Sequence, residues 1–202
     1  MDLPSPTDPL TWLLVAAMAV ARGLDFLSTR LVTPTLELEA NPLMRRGRWV
    51  RMGLLNLPLP ALPLLHHGLA VTFVVTSLLA AGSNLTAGAL SRGMSEARHL
   101  EQQREALRRL GLGRALAMNS GGGLVVLLAG AFAMWLSAPP ERLGWWAALG
   151  VAMFGLSGLV HFNIAIVRLH RGPGGKMAGT RRTPQADTPT AGRGPAAPSR
   201  RR

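Results

Sequence analysis

The chain has 202 residues, of which 48% are hydrophobic and only 16% are charged, and its formal net charge is +12. A soluble domain normally has about 25% charged residues, so this composition argues against an ordinary soluble domain and indicates a membrane protein. The sequence has no cysteine, which excludes disulfides, a thiolate nucleophile and any metal site with cysteine ligands.

Apolar runs predict where the chain crosses the membrane. A helix needs roughly 17–25 apolar residues to span about 30 Å of hydrocarbon. Four runs lie well within that range, and they are residues 10–32, 69–91, 114–137 and 144–167. A fifth run, residues 49–65, is shorter and contains Pro58, Pro60 and Pro63. We therefore predict an all-α, polytopic membrane helical bundle with five spans, or with four if residues 49–65 are re-entrant.

The basic residues predict the orientation of these spans. With five spans, 20 of the 22 lysines and arginines fall in three segments on the same side of the membrane, and the arm before the first span has none. The positive-inside rule then places the N-terminus outside and the C-terminus inside. A single crossing by residues 49–91 would put an arginine-rich link outside, against the same rule. We predict a multi-pass protein of the inner, cytoplasmic cell membrane.

The chain divides into a predicted membrane domain, residues 1–170, and a basic tail, residues 171–202. Within the first, residues 95–110 predict an amphipathic helix on the inner leaflet. The tail is rich in Gly, Pro and Arg, which is typical of disorder. Its eight basic residues and one acidic residue favour membrane lipids with anionic headgroups as partners. Nucleic acid is the weaker prediction because the tail has no aromatic residues for stacking.

Small residues in the last two spans predict close packing. They recur every four residues, as Gly144, Ala148 and Ala152 in one span and as Ala129, Ala133 and Ser137 in the other. Such stripes allow helix backbones to approach closely. The partner is either the neighbouring span or a second copy of the chain, which would make a homo-oligomer.

Polar side chains recur at one depth of the predicted bundle. Every span contributes to this layer, whose members are Asp25, Asn56, Asn84, Asn119, His161 and Asn163. At a rise of 1.5 Å per residue they lie roughly 6–11 Å from the inner boundary. Arg22, Asp25, Ser28 and Thr29 also share one stripe of the first span, and charges at this depth usually face the bundle interior or a wet cavity.

Two interpretations of this layer stay open. In the structural one, the asparagines join helices by hydrogen bonds and the Arg22–Asp25 pair neutralises itself. In the functional one, the layer lines a polar cavity that faces the cytoplasm, and Asp25 and His161 are its titratable groups.

Two short strings in the first part of the chain resemble a known family. The strings are Asp25-Phe26-Leu27-Ser28-Thr29 and Glu39-Ala40-Asn41-Pro42-Leu43-Met44. They are similar to the signature Asp-x-x-x-Thr, then Glu-x-Asn-Pro-Leu-Met, of a domain-of-unknown-function family of small prokaryotic integral membrane proteins. The resemblance covers roughly residues 12–91. It implies a shared membrane scaffold with Asp25, Thr29, Glu39 and Asn41 as signature positions, and it implies no activity.

The candidate cavity residues are Asp25, Thr29, Glu39, Asn41, Asn56, Asn84 and His161. The first hypothesis is that they bind or transport a small cation, a proton or a polar headgroup. One alternative is a membrane-embedded, metal-assisted hydrolase or transferase, with Asp25, Glu39 and His161 around a metal or a water. Another is a non-catalytic scaffold whose basic tail binds lipid. The sequence contains no recognised catalytic or metal-binding string, so we predict no cofactor and no resident metal.

Overall fold

The computed structural model of the chain describes residues 4–34, 49–50, 52–90 and 93–171, and all the regular secondary structure in these ranges is helical. The chain divides into two units, Met1–Gly172 and Pro173–Arg202. The second unit, which holds the predicted basic tail, lies outside the described residues. The segment with Glu39 and Asn41 lies outside them as well.

Six helices follow one another in the described part of the chain. They are α1 (Pro9–Val32), α2 (Met52–Leu64), α3 (His67–Leu90), α4 (Glu96–Leu110), α5 (Leu112–Leu136) and α6 (Leu143–Arg171). Four of them, α1, α3, α5 and α6, are long and apolar enough to cross a membrane. They coincide with four of the five predicted spans, which confirms an all-helical protein of the membrane type.

Helix α2 corresponds to the fifth predicted span and is different from the rest. It is a shorter apolar helix, and its last six residues, Leu59–Leu64, form a 3₁₀-helix. Proline has no backbone N–H and its ring crowds the preceding turn, so Pro58, Pro60 and Pro63 interrupt the α-helical hydrogen bonds here. Whether residues 49–65 cross the bilayer therefore stays a prediction.

Helices α1 and α3 run parallel to each other. Three side-chain hydrogen bonds join them at nearly the same sequence offset, Thr11 with His67, Arg22 with Ser77, and Thr29 with Asn84. The residues buried between them are small or flexible, and include Met18, Ala21, Ala70 and Ala81. Parallel neighbours need a return connection, and the described residues between them run back along α1. Trp49 donates to the Pro34 carbonyl at one end, and His67 pairs with Thr11 at the other.

Helices α5 and α6 form an antiparallel pair. Asn119 and Asn163 meet near one end of the pair, and Ser137 lies close to Gly144 at the other. Small residues lie at the contact, as the sequence predicts, and Ala148 and Ala152 are buried. Of the stripe predicted on α5, Ser137 lies at the contact, but Ala129 is exposed and the next residue, Gly130, packs on Ala152 in its place.

Helix α4 agrees with the predicted amphipathic helix. Ser95 caps its N-terminus by accepting a hydrogen bond from the Arg98 N–H. Gly111 ends it with φ +77° and ψ 149°. Residues with a Cβ are strained in this backbone conformation, so glycine suits the position. Its buried leucine, Leu107, faces the bundle, where α4 contacts α5 and the last turns of α6.

Candidate functional site

A cavity of about 380 Å³ lies among α1, α2, α3, α4 and α6. Arg22 and Val32 of α1 both line it, so it extends about 15 Å along that helix at a rise of 1.5 Å per residue. It occupies the half of the bundle towards the C-terminal ends of α1 and α3. Helix α4 covers this end by contributing His99 and Gln103 to the lining.

Five of the seven residues predicted from the sequence meet in this cavity. They are Asp25, Thr29, Asn56, Asn84 and His161. The other two, Glu39 and Asn41, lie outside the described residues. The cavity thus collects side chains from four helices that the sequence places at one depth.

Asn119 and Asn163 share that depth but do not line the cavity. Asn119 Nδ2 donates to Asn163 Oδ1 at 2.8 Å, and Asn163 Nδ2 donates to Ser120 Oγ at 2.9 Å. For these two asparagines the structural interpretation is the better one, because they join α5 to α6.

Arg22 is the centre of the polar side chains in the deep part of the cavity. Its Nη1 donates to Asp25 Oδ2 and to Ser77 Oγ, both at 2.9 Å, and its Nε donates to Asn56 Oδ1 at 2.8 Å. Its Nη2 contacts Asn56 Oδ1 as well. Asp25, Asn56 and Ser77 belong to α1, α2 and α3, so one guanidinium joins three helices. Asp25 supplies the counter-charge of this guanidinium.

Towards α4, the hydroxyls of α1 and the amide of Asn84 form a second polar group. Ser28 Oγ and Thr29 Oγ1 both donate to the Asp25 carbonyl, at 2.9 and 2.8 Å. Asn84 Nδ2 donates to Thr29 Oγ1 at 3.0 Å and reaches Ser28 Oγ at 3.3 Å. The hydroxyls accept from Asn84 while they donate to the backbone, so these hydrogen bonds join α1 to α3 beside the cavity.

His161 enters the cavity from a π-helical turn of α6, Gly158–Phe162. Such turns interrupt the regular hydrogen-bond ladder and are frequent at functional sites. The Gly158 carbonyl accepts a long hydrogen bond from Asn119 Nδ2 at 3.4 Å. Nδ1 of His161 lies 3.2 Å from the Ser157 carbonyl and 3.0 Å from Ser157 Oγ, which fixes the ring.

Sequence reasoning missed the residues that α4 contributes. His99 Nε2 lies 2.9 Å from Gln103 Nε2, and both residues line the cavity. On the helix they stand four residues apart, among charged neighbours, so the pattern looks like a solvated face. The signal that was available is that His99 and Gln103 place an imidazole and an amide at helical spacing on a helix rich in Arg and Glu.

The charge of the cavity lining is balanced or positive. Asp25 is the one acidic side chain among the lining residues, and it is paired with Arg22. Two imidazoles, those of His99 and His161, also face the space. Among the described residues, no group of three or more His, Asp or Glu side chains is placed to hold a metal ion.

Comparison with known proteins gives no relative for this chain. It matches no family model, no curated protein and no solved structure. The resemblance of residues 25–44 to a domain-of-unknown-function family therefore stays a prediction.

Proposed function

We propose that this protein crosses the cytoplasmic membrane five times and binds a polar headgroup in a cavity that opens to the cytoplasm. The protein's role is then to bind or to transport the molecule that carries this headgroup. One observation carries the proposal. Polar side chains from α1, α2, α3 and α6 converge on one cavity of about 380 Å³, at the end of the bundle that α4 covers.

The directions of the helices support five crossings. Thr72 Oγ1 donates to the Trp146 carbonyl and Thr76 Oγ1 to the Gly150 carbonyl, so α3 and α6 run parallel. Since α1 is parallel to α3 and α5 is antiparallel to α6, five crossings in chain order alternate in direction. The crossing between α1 and α3 falls to α2, whose 13 residues rise about 20–26 Å at 1.5–2.0 Å per residue.

The charge distribution supports the orientation. Helix α4 carries Arg98, Arg104, Arg108 and Arg109, and it lies at the C-terminal ends of α1 and α3. The positive-inside rule places such a segment in the cytoplasm. The cavity beside α4 then opens to the cytoplasmic side, and the arm before α1 lies outside.

The geometry favours a polar headgroup over a small cation or a proton. A volume of about 380 Å³ falls within the range of roughly 300–1,000 Å³ that is usual for small-molecule sites. Asp25 already has the guanidinium of Arg22 as its partner at 2.9 Å. A cation would have to compete with that arginine for the carboxylate, whereas a headgroup can bind beside the intact pair.

Filling the cavity tests the proposal without removing any polar group. Ala80 lines the cavity, and Ala89 lies on the same helix but is exposed and outside it. We expect Ala80→Phe to abolish the retention of polar lipid by the purified protein, measured by native mass spectrometry, and Ala89→Phe to leave it unchanged. Equal retention in wild type and Ala80→Phe would contradict the proposal.

A further inference from the structure

We infer that the molecule with this headgroup is a lipid of the inner leaflet, which enters the cavity sideways through a slot between α2 and α6 and keeps its acyl chains against α6. The slot is bordered by Met52 and Asn56 of α2 and by Phe154 and Phe162 of α6, which all line the cavity. The inference rests on the proposed function and identifies the ligand as a membrane lipid. It depends on how the helices are arranged around α3.

Helices α1 and α6 lie on opposite faces of α3. Gly68 and Val75 of α3 pack on α6, whereas Ser77 and Asn84 of α3 form hydrogen bonds with α1. Ser77 follows Gly68 by nine positions, and Asn84 follows Val75 by nine. Nine residues make two and a half helical turns, so each pair points to opposite sides of α3. Because packed helix axes lie about 8–10 Å apart, α1 and α6 are separated by roughly 16–20 Å.

The cavity lies in the furrow that this separation leaves along α3. Ala80, Ser83 and Ala87 line it, and their spacing places them on a third face of α3, between the face towards α1 and the face towards α6. Helix α3 is thus the floor of the furrow, and α1 and α6 are its walls.

Helix α2 covers part of this furrow. Just before it begins, Trp49 packs on Phe26 of α1, with ring centroids 5.1 Å apart, and Asn56 accepts from the guanidinium of α1. Just after it ends, His66 packs on Trp146 of α6, with centroids 4.9 Å apart. Helix α2 therefore crosses the furrow obliquely and lies on the α1 side in the half of the bundle with the cavity. Among the described residues, the slot remains there between α2 and α6.

The α6 edge of the slot is aromatic and faces the hydrocarbon of the inner leaflet. Phe162 is 47% exposed although it lines the cavity. It precedes Val167, the predicted inner end of the span, by five residues, which is about 8 Å at 1.5 Å per residue. The opposite wall of the cavity carries Arg22 and Asp25. A polar wall that faces an apolar edge fits an amphipathic molecule, with its headgroup at the wall and its chains along α6.

Photo-crosslinking in the unmodified chain tests the slot. The protein is reconstituted in vesicles of phosphatidylethanolamine and phosphatidylglycerol that contain either lipid with a diazirine in the middle of one acyl chain. After illumination, mass spectrometry of peptides locates the crosslinked residues. We expect crosslinks at Phe154 in wild type and about tenfold fewer in Ala80→Phe, whose added ring fills the cavity. Phe132 is the internal control, because it is exposed on α5 and does not line the cavity. Its crosslinks should be equal in the two proteins.

A charge in the slot tests the route independently. Phe162→Lys puts an ammonium group where we place the acyl chains, so we expect the purified protein to retain about tenfold less polar lipid in native mass spectrometry. Phe162→Leu stays apolar and should retain most of it. Ile164→Lys is the matched control, because Ile164 is exposed on the same helix at nearly the same depth and does not line the cavity. Thermal unfolding of each variant controls for a loss of the fold.

Several results overturn the inference, and they affect the proposed function differently. Suppose that Ala80→Phe abolishes lipid retention, but Phe154 is not crosslinked in wild type or Phe162→Lys retains as much lipid as wild type. The headgroup is then bound while the chains follow another path, and the proposed function stands. If Ala80→Phe changes neither the crosslinks at Phe154 nor the retention of lipid, both fail.

Discussion

The two halves of the bundle are held together by different chemistry. Helices α1, α2 and α3 are joined by polar side chains around Arg22, whereas α5 and α6 are joined mainly by the close approach of glycines, with the Asn119–Asn163 hydrogen bond near one end. A Cβ on Gly130 or Gly155 would overlap the backbone of the opposite helix. The hydrogen bonds of the polar half, α1 to α3, thus also form a wall of the cavity. In the glycine half, α5 and α6 pack closely, and α6 places His161 in the cavity lining.

This contrast has a physical basis. Apolar side chains gain little from association inside lipid, so helices there associate through packing of small residues or through hydrogen bonds. The glycine seam gives packing without any polar atom. The Arg22 cluster gives hydrogen bonds that also face a cavity, which is what a ligand site needs.

Removing Arg22 is the largest single disruption we predict. Arg22→Met takes the guanidinium away from Asp25 and removes the donor that Asn56 and Ser77 accept from, so we expect a loss of about 3 kcal/mol in unfolding free energy. Unfolding in mixed micelles, followed by far-UV circular dichroism, measures it. The control Arg142→Met, at the exposed start of α6, should stay within about 0.5 kcal/mol of wild type.

A second variant decides whether the charge pair is the cause. Adding Asp25→Leu to Arg22→Met removes the carboxylate that has lost Arg22, so part of the lost stability should return. If Arg22→Met is as stable as wild type, the cluster does not hold the polar half together.

The glycine seam should respond to a single methyl group. A Cβ on Gly155 would lie 2.5 Å from the Leu127 backbone nitrogen, so Gly155→Ala should cost about 1–3 kcal/mol through overpacking. The same substitution at Gly122, where nothing lies within 4 Å, should stabilise by up to about 1 kcal/mol through helix propensity. The same micelle titration compares them, and equal effects at the two glycines would disprove the seam.

The hydrogen bonds between the two halves should be the weakest contribution. Thr76 donates to the Gly150 carbonyl on α6 at 3.1 Å as well as to its own helix. We expect Thr76→Val to cost about 0.6 kcal/mol, which is the average for such bonds in membranes. Thr86→Val should be neutral, because Thr86 is exposed and its recorded bond is to the Gly82 carbonyl of its own helix. A loss above about 2 kcal/mol for Thr76→Val would contradict this ranking. It would mean that the hydrogen bonds between the two halves contribute as much stability as the contacts within each half.

The sequence predicted the helices well because their length is set by the thickness of the bilayer. The predicted run 69–91 corresponds to His67–Leu90. The helix at Glu96–Leu110 was predicted, as 95–110, from its amphipathic pattern instead. The depth of the polar layer follows from the same count of residues, and four of its six members meet in the cavity.

The rotation of each helix about its axis was beyond the sequence. Asn163 and His161 have nearly the same depth, but the π-helical turn and the pairing of Asn163 with Asn119 direct them to different neighbours. Likewise, a stripe that contains Ala129 and one that contains Gly130 are equally regular in sequence. Which of the two stripes faces α6 depends on tertiary packing, and in the structure it is the stripe with Gly130.

Accessibility of a single cysteine tests the cytoplasm-facing cavity most directly. The chain has no cysteine, so Ser83→Cys, which lines the cavity at an exposed position, is the unique site for a membrane-impermeant maleimide. Ala129→Cys on the outer face of α5 is the control for a position in contact with lipid. We predict that Ser83→Cys is labelled in inside-out vesicles but not in right-side-out vesicles. Adding Ala80→Phe should abolish that labelling, and Ala129→Cys should not be labelled in either kind of vesicle. Labelling of Ser83→Cys from the outside, or from neither side, would contradict the account.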